Sequence, residues 1–266
     1  MISYNELTER NWGVITKEQQ EILKNSKVCI PGMGGLGGVI FEILVRTGIG
    51  SFSIVDNDKI EPTNANRHIF AFNNTMGEYK VDVAERFAKN INSEVKINKY
   101  VKVDEDNVGE ILSDCKVIAL SIDKIFPCII IDRKAKELGI PIVEGWALPY
   151  MNVRVLKDLT IEKAYGIEMK NKLAEISKEE MANAQLKIFS FLSNLGGGKV
   201  KDYYLPEAIK MLMETGRVPS FGPLVWLTAT IMSLETIRVL LNWGEVATDC
   251  DFKLYNPFEY KTIWNW

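Results

Sequence analysis

Apolar positions along the chain fall into two alternating rhythms. Short dense runs such as Val28-Cys29-Ile30, Phe52-Ser53-Ile54-Val55 and Val117-Ile118-Ala119-Leu120 have the length and β-branched content of buried strands, whereas Val39 to Thr47 carries apolar residues at helical spacing. Thr16-Lys17-Glu18-Gln19 has capping-box spacing and predicts a short helix ending near Asn25. A strand over Lys27 to Pro31, a helix over Val39 to Thr47 and a strand over Phe52 to Val55, bounded by Gly50 and Asp56, form one βαβ unit. The rhythm continues as a helix from Glu78 to Asn90, a strand from Val95 to Val101, a helix from Asn107 to Leu112 and a strand from Val117 to Ser121. A helix from Ile129 to Leu138 then leads through Gly139 to a strand over Pro141 to Glu144.

From Val153 onward the character changes. Residues 160–215 are charged and helix-prone, with Gly196-Gly197-Gly198 reading as a mobile loop. Pro219 to Asn242 predicts a strong apolar helix covering the sheet, and Phe252 to Leu254 with Thr262 to Trp264 predict two late strands around Asn256-Pro257. The expected fold is α/β, a Rossmann-like doubly wound, mostly parallel sheet with late antiparallel strands. No internal repeat or low-complexity tract is present, so the expectation is a single domain over 1–266, with an N-terminal helical arm at 1–26 and a variable segment at 160–215.

Composition narrows the classes. With 47% hydrophobic and 25% charged residues over 266 positions, the chain reads as an ordinary globular protein able to bury a substantial core. A formal net charge of −3 supplies no basic field for a nucleic-acid backbone, so DNA is not an expected partner, while a tRNA held by a local patch stays open. The opening Met1-Ile2-Ser3-Tyr4-Asn5-Glu6 has neither a basic nor an apolar signal region, and the apolar run Phe221 to Leu234 is shorter than the roughly 20 residues that span a bilayer. A cytoplasmic location without a membrane partner is expected. Cys29, Cys115, Cys128 and Cys250 include no C-x-x-C pair, and His68 is the only histidine, which leaves a thiolate zinc site or a disulfide framework without support.

Candidate chemistry begins at Gly32-Met33-Gly34-Gly35-Leu36-Gly37, a G-x-G-x-x-G pattern between a strand and a helix. Small residues let the backbone approach a phosphate, and the helix N-terminus supplies N–H groups and positive dipole to hold it. Asp56 ends the next strand roughly 20 residues on, where a carboxylate accepts hydrogen bonds from ribose hydroxyls. Beyond it, Asp56-Asn57-Asp58, Pro62 to His68 and Gly77-Glu78-Tyr79-Lys80 place amides, Arg67 and Lys80 past the strand end. A dehydrogenase has no need of two fixed cations there, whereas an enzyme neutralising a triphosphate does.

These motifs, in this order, resemble the ThiF/MoeB/HesA superfamily of ubiquitin-activating-type adenylyltransferases. The family's G-x-G-G-L-G falls on Gly32 to Gly37, its D-x-D on Asp56 to Asp58, its S-N-x-x-R-Q on Thr63-Asn64-Ala65-Asn66-Arg67-His68, and its G-x-x-K on Gly77 to Lys80. The likeness covers roughly Arg10 to Val155 and returns at Pro219 to Leu241. It implies ATP and Mg²⁺ as cofactors, with Gly32, Gly34, Gly35, Asp56, Asp58, Asn64, Asn66, Arg67 and Lys80 at the nucleotide and Asp123 as the metal-binding acid. It implies catalytic roles for Asp123, Arg67, Lys80 and Arg10, the last supplied in trans within a homodimer. It also implies a carboxylate acceptor, first the C-terminal Gly-Gly of a ubiquitin-like sulfur-carrier protein, with a threonylcarbamoyladenosine on tRNA, a small metabolite or a peptide as alternatives. Trp146, Pro149, Tyr150 and Asn152 are candidates to line the acceptor pocket or to be core.

Departures from the family narrow this further. Asp123-Lys124 stands where the family has Asp-Asn, Pro127-Cys128 replaces a frequent arginine, and His68 replaces glutamine while keeping the capacity to donate or accept. No cysteine falls between Cys128 and Cys250, so the simplest reaction stops at an acyl-adenylate. Two readings from other classes stay open: a nicotinamide-dependent oxidoreductase, and a non-catalytic subunit scaffolding an active paralogue.

Overall fold

The first buried run forms β1, Lys27–Pro31, buried from its second residue onward, as a strand covered on both faces must be. We describe the protein from a computed structural model covering residues 2–170, 175–195, 198, 200–215, 218–246 and 252–263. The arm that precedes β1 contains α1, Tyr4–Thr8, and α2, Lys17–Lys24, each opened by a capping box, from Ser3 to Glu6 and from Thr16 to Gln19. After β1 come α3, Gly35–Thr47, and β2, Ser51–Val55. They are followed by α4, Lys80–Ile91, β3, Lys96–Tyr100, α5, Val108–Leu112, and β4, Val117–Leu120. Then come α6, Ile125–Leu138, β5, Ile142–Glu144, and β6, Met151–Leu156. The later elements are α7, Ile161–Ala164, α8, Lys178–Ser193, α9, Pro206–Thr215, α10, Gly222–Leu241, β7, Lys253–Asn256, and β8, Lys261–Ile263.

The sheet runs in the order β3-β2-β1-β4-β5-β6-β7-β8. Its first five strands are parallel and its last three join antiparallel, the doubly wound sheet with late antiparallel strands that the pattern predicts. Chain order reverses between β1 and β4, and in such sheets the crevice outside the carboxyl ends at that point is where ligands bind. One face packs on α3, α4 and α10 around Ile40, Leu44, Ala229 and Met232; the other packs on α5, α6 and α8 around Ile111, Ile129, Ile131 and Ile188. By length and composition α10 could cross a membrane, but it lies against α3, β4, β5 and β6 and buries Val225, Ala229, Met232 and Ile237 there. Its buried Ser233 and Thr236 hydroxyls donate to carbonyls one turn back, which keeps polar groups satisfied in that interface. The edge strand β3 carries Lys96 and Lys99 outward, charges that discourage edge pairing.

Two local readings change. Helix α6 begins at Ile125 rather than Ile129, because Pro127 sits in the first turn, where its missing N–H has no intrahelical partner to lose. Strand β6 is absent from the sequence reading; Asn152 and Arg154 break its apolar run yet are fully buried. The Gly196–Gly198 stretch, apart from Gly198, and the end of the last predicted strand at Trp264 lie outside the described residues.

At the beginning of segment 160–215, the buried Asp132 of α6 accepts from the Ile161 N–H at 2.9 Å. Burial pushes its carboxyl up to about 7, against the pull of that hydrogen bond, with Glu144 and Glu162 adding to the rise. A raised folded-state value means that the group's contribution is complete below the ordinary carboxylate range and is lost as pH rises through about 7. Asp132→Asn keeps the acceptor oxygen without the charge. It is expected to exceed the native protein in stability by about 2 kcal/mol at pH 8 and to lose that advantage near pH 4. Urea midpoints at the two pH values check this, and an offset independent of pH contradicts it.

Candidate functional site

The glycine turn between β1 and α3 is shaped by close backbone contact. Gly32 has φ +88°, and a Cβ on it would lie 2.5 Å from the Ser121 carbonyl oxygen, so both its conformation and its surroundings require glycine. Gly34 precedes the helix, supplies no side-chain cap, and faces open space where an added Cβ would meet no atom within 4 Å. The first-turn N–H groups of a 13-residue helix are thus presented uncapped at the switch point, with the positive end of the helix dipole behind them.

Asp56, at the end of β2, fastens the neighbouring strand to this turn. One carboxylate oxygen accepts from the Met33 N–H at 2.7 Å and the other from the Asp58 N–H at 2.7 Å. Burial raises the pKa of Asp56 above its ordinary value, partly offset by Lys80. Lys80, buried at the start of α4, holds its ammonium 2.9 Å from Asp58 Oδ2 and 3.7 Å from Asp56 Oδ2. Asp58 is more than half exposed, so this cation is parked against a carboxylate that solvent can take over.

Arg67 approaches from the other side. Its stem lies over Gly35, where a Cβ would sit 3.1 Å from Arg67 Cγ, and its Nη1 donates to the Thr63 carbonyl and to Asn66 Oδ1, each at 2.9 Å. Asn64 accepts from the Glu61 N–H at 3.1 Å and closes the turn Pro62–Asn64. Asn66, expected at the nucleotide, spends Oδ1 on Arg67 and Nδ2 on the Ser220 carbonyl at 2.8 Å, which makes it a buttress for the arginine. His68 is buried and accepts from the Phe70 N–H at 3.1 Å. Burial, then the Lys80 charge, lowers it to about 4, so the imidazole is neutral at pH 7. Among the described residues no cluster of three histidine, cysteine, aspartate or glutamate side chains could hold a metal ion.

The third wall comes from β4. Ser121 Oγ donates to the Pro31 and Gly32 carbonyls at 2.9 and 2.8 Å, tying the end of β4 to the same turn. Asp123, two residues on, is exposed and makes no hydrogen bond or ion pair among the described residues. Arg10 is not brought here. The arm is tied to the far end of α3, where Tyr4 donates to the Gly48 carbonyl at 2.8 Å and Asn11 to the Thr47 carbonyl at 3.2 Å. That helix is roughly 20 Å long at 1.5 Å per residue, which separates Arg10 from its own chain's glycine turn. Of the residues considered for an acceptor pocket, Pro149, Tyr150 and Asn152 are buried; Asn152 bonds the Trp146 N–H and carbonyl, each at 2.8 Å, and only Trp146 keeps partial exposure.

Sequence reasoning missed two supports from α10 and the residues before it. Trp226 Nε1 donates to the Arg67 carbonyl at 2.8 Å, and the Ser220 carbonyl holds Asn66. Gly222 packs so closely that a Cβ on it would sit 2.4 Å from the Asn66 carbonyl oxygen. No local signal marks these contacts, because they cross more than 150 positions of chain.

Four segments thus hang an acidic pair with its lysine, an arginine and a carboxylate without a partner among the described residues around one glycine turn at the switch point of a doubly wound sheet, the arrangement of a nucleotide-binding α/β protein. The chain belongs to the ThiF family, whose pattern it matches over residues 7–265. It is 41% identical over 88 residues to the tRNA threonylcarbamoyladenosine dehydratase of Bacillus subtilis, covering 33% of this chain and 35% of that protein. It is 26% identical over 250 residues to the adenylyltransferase and sulfurtransferase UBA4 of Saccharomyces cerevisiae, covering 91% of this chain and 48% of that protein. The chain therefore spans less than half the length of these relatives. In fold it is similar to E. coli MccB with ATP (TM-score 0.65, 19% identity, 92% of this chain and 64% of that one). It is also similar to E. coli tRNA N6-threonylcarbamoyladenosine dehydratase, TcdA (TM-score 0.65, 17% identity, 91% and 98%).

Proposed function

We propose that this protein is an ATP-dependent adenylyltransferase that joins a carboxylate to AMP and releases pyrophosphate. The observation that carries the reading is the gathering of Arg67, Lys80 and Asp123 around one glycine turn, with the two cations held by protein acceptors that a nucleotide phosphate can replace. The acceptor carboxylate attacks the α-phosphorus in line, an O–P bond forms, the bond to the β-phosphate oxygen breaks, and pyrophosphate departs with the electron pair. The acceptor needs no general base, since it is already ionised near neutral pH. The α3 N-terminus, Arg67 and Lys80 neutralise phosphate charge as it shifts toward the leaving group, and Asp56 holds the ribose. Mg²⁺ fits the donor set, because it is commonly held by one or two carboxylates together with substrate phosphates and water, and Asp123 offers one such carboxylate that has no partner among the described residues. Bound there, it would supply further charge stabilisation at the α-phosphate. A nicotinamide reading leaves Arg67, Lys80 and Asp123 without a role.

For the acceptor, the C-terminal Gly-Gly of a ubiquitin-like sulfur-carrier protein is our first reading. It is supported by the similarity to UBA4 and by 29% identity over 129 residues to the SAMP-activating enzyme E1 of Haloferax volcanii. A tRNA threonylcarbamoyladenosine is the second, favoured by the 41% identity to the B. subtilis dehydratase. Exchange of labelled pyrophosphate into ATP, run with a Gly-Gly-tailed carrier, with tRNA and with small carboxylic acids, tests the proposal. Exchange dependent on one of these supports it, and its absence with all of them favours a scaffold without turnover.

Arg10 serves, in this reading, the active site of a second copy. Mixing Arg10→Ala protein with Asp123→Ala protein is expected to restore up to about a quarter of native exchange activity, the share of statistically formed sites in mixed dimers that carry neither change. Exchange no greater than the sum of the separate variants contradicts a shared site.

A further inference from the structure

Segment 160–215 passes from one face of the sheet to the other, since α8 packs on the α6 side and α10 on the α3 side. Its exit is pinned to the Arg67 turn through Ser220 and Trp226. Its beginning covers a group that the proposed reaction has not used. Arg154, in mid-β6, is fully buried, and its Nε donates to Glu144 Oε2 at 2.7 Å across the β5–β6 register. Glu144, the last residue of β5, is well supplied with donors, since its Oε1 accepts from Tyr165 Oη at 2.5 Å and from Trp146 Nε1 at 2.9 Å. The guanidinium lies over the rings of Tyr165, at 4.5 Å, and Phe252, at 4.4 Å, with Phe191 at 5.8 Å. Among the described residues neither Nη1 nor Nη2 has a hydrogen-bond partner.

Buried N–H donors without acceptors are uncommon in folded proteins and call for a ligand or a water. Charge decides which ligand. Glu144 already balances Arg154, so a phosphate or second carboxylate would bring an uncompensated negative charge into a dry site, whereas a neutral amide carbonyl supplies acceptor lone pairs alone. Position gives the source. Glu144 ends β5 beside the strand that leads to Asp123, the partly exposed Trp146 follows it by two residues, and the roof over Arg154, Tyr165 and Phe191, belongs to the crossing segment.

We propose that Arg154 is a specificity-determining residue that receives a main-chain carbonyl of a peptide-like acceptor when the Tyr165–Phe191 roof moves aside. This rests on the adenylyltransferase reading and deepens it: the acceptor is a polypeptide tail, selected by an amide carbonyl near its reacting end. Trp146, by holding Glu144, positions Arg154.

The test uses a fluorescein-labelled synthetic hexapeptide ending in Gly-Gly and the full chain. Three proteins are compared: native, Arg154→Lys, and the double variant Arg154→Met with Glu144→Gln, which strands no charge in the core. We expect the native protein to bind the peptide, the double variant to bind it at least about tenfold more weakly, and the lysine variant to fall between them. ATP binding stays unchanged in all three, and in peptide-supported pyrophosphate exchange KM rises at least about tenfold while kcat changes less than about threefold. A merely structural role would lower ATP binding or kcat with it, and that result overturns the proposal. Equal peptide affinity in the three proteins, or ATP binding by a native protein that ignores the peptide, also overturns it while leaving the nucleotide site standing. Binding of bulk tRNA that is lost in the double variant replaces the peptide with RNA. A native protein that fails to bind ATP overturns the adenylyltransferase reading itself.

Discussion

Asp123→Ala is expected to lower ATP–pyrophosphate exchange by about 10³-fold or more while metal-free ATP binding and the thermal midpoint remain close to native. The residue follows β4 by three positions, is exposed, and makes no hydrogen bond or ion pair among the described residues, so its removal leaves no orphaned partner and opens no cavity. An exposed side chain with no partner among the described residues, just beyond the strand end that Ser121 ties to the glycine turn, is one whose loss is read in turnover alone. In the reading above, its carboxylate holds the cation that offsets charge at the α-phosphate, and charge that develops only in the transition state is where electrostatic stabilisation is largest. Exchange assays alongside calorimetric titration with ATP check the expectation. Exchange within tenfold of native removes Asp123 from the site.

Gly37→Ala is expected to have the largest effect on the fold of any single methyl addition in the cleft. A Cβ there would lie 1.7 Å from the Gly32 carbonyl oxygen and 2.6 Å from Ser121 Oγ, and neither can retreat. The Gly32 carbonyl accepts from Ser121, and Gly32 itself sits in a left-handed conformation against the end of β4. Helix α3 must therefore lift from the turn, which breaks its packing on α10 and withdraws its first-turn N–H groups from the phosphate position. The cost is about 4 kcal/mol or more, a thermal midpoint lowered by about 10 °C for a chain of this size. Thermal unfolding of the variant measures it, and a shift below about 3 °C contradicts the close contact.

Much of the frame is legible because local chemistry dictates it. Residues 28–31 are apolar, β-branched at Val28 and Ile30, and followed by glycines, and the Thr16 capping box and the Asp56 strand end fix the boundaries on either side. The second half of the frame is less legible for a physical reason. β6 contains Asn152 and Arg154, which a strand pattern reads as solvent-facing; both are buried because Asn152 bonds the Trp146 loop and Arg154 pairs with Glu144, partners that no periodicity can supply. Tyr150 is similarly ambiguous. An aromatic beyond a strand end suits a pocket as well as a core, and its contacts with Tyr203 and Asn256 decide for the core.

The same division holds in the site. Gly32 to Gly37, Asp56, Arg67 and Lys80 stand in motifs whose spacing carries them to one edge of the sheet. The supports do not. Trp226 and Ser220 reach the Arg67 turn from the far side of the crossing segment, and Ser121 matters only because β4 lies beside β1. Asn66 sits in the right motif but turns both ends of its amide to protein, which the motif alone does not distinguish from a nucleotide contact. Arg10 lies at the opposite end of α3, so the role proposed for it requires a second copy of the chain.

A crystal structure of the complex with Mg²⁺ and a non-hydrolysable α,β-methylene analogue of ATP tests the central claim most directly. The account predicts the adenosine ribose on Asp56, the phosphates over the α3 N-terminus with Lys80 moved from Asp58 onto them and Arg67 within hydrogen-bonding distance, and the metal on Asp123. A nucleotide lying elsewhere, or bound at the glycine turn with Lys80 still on Asp58 and Asp123 far from the α-phosphate, would contradict it.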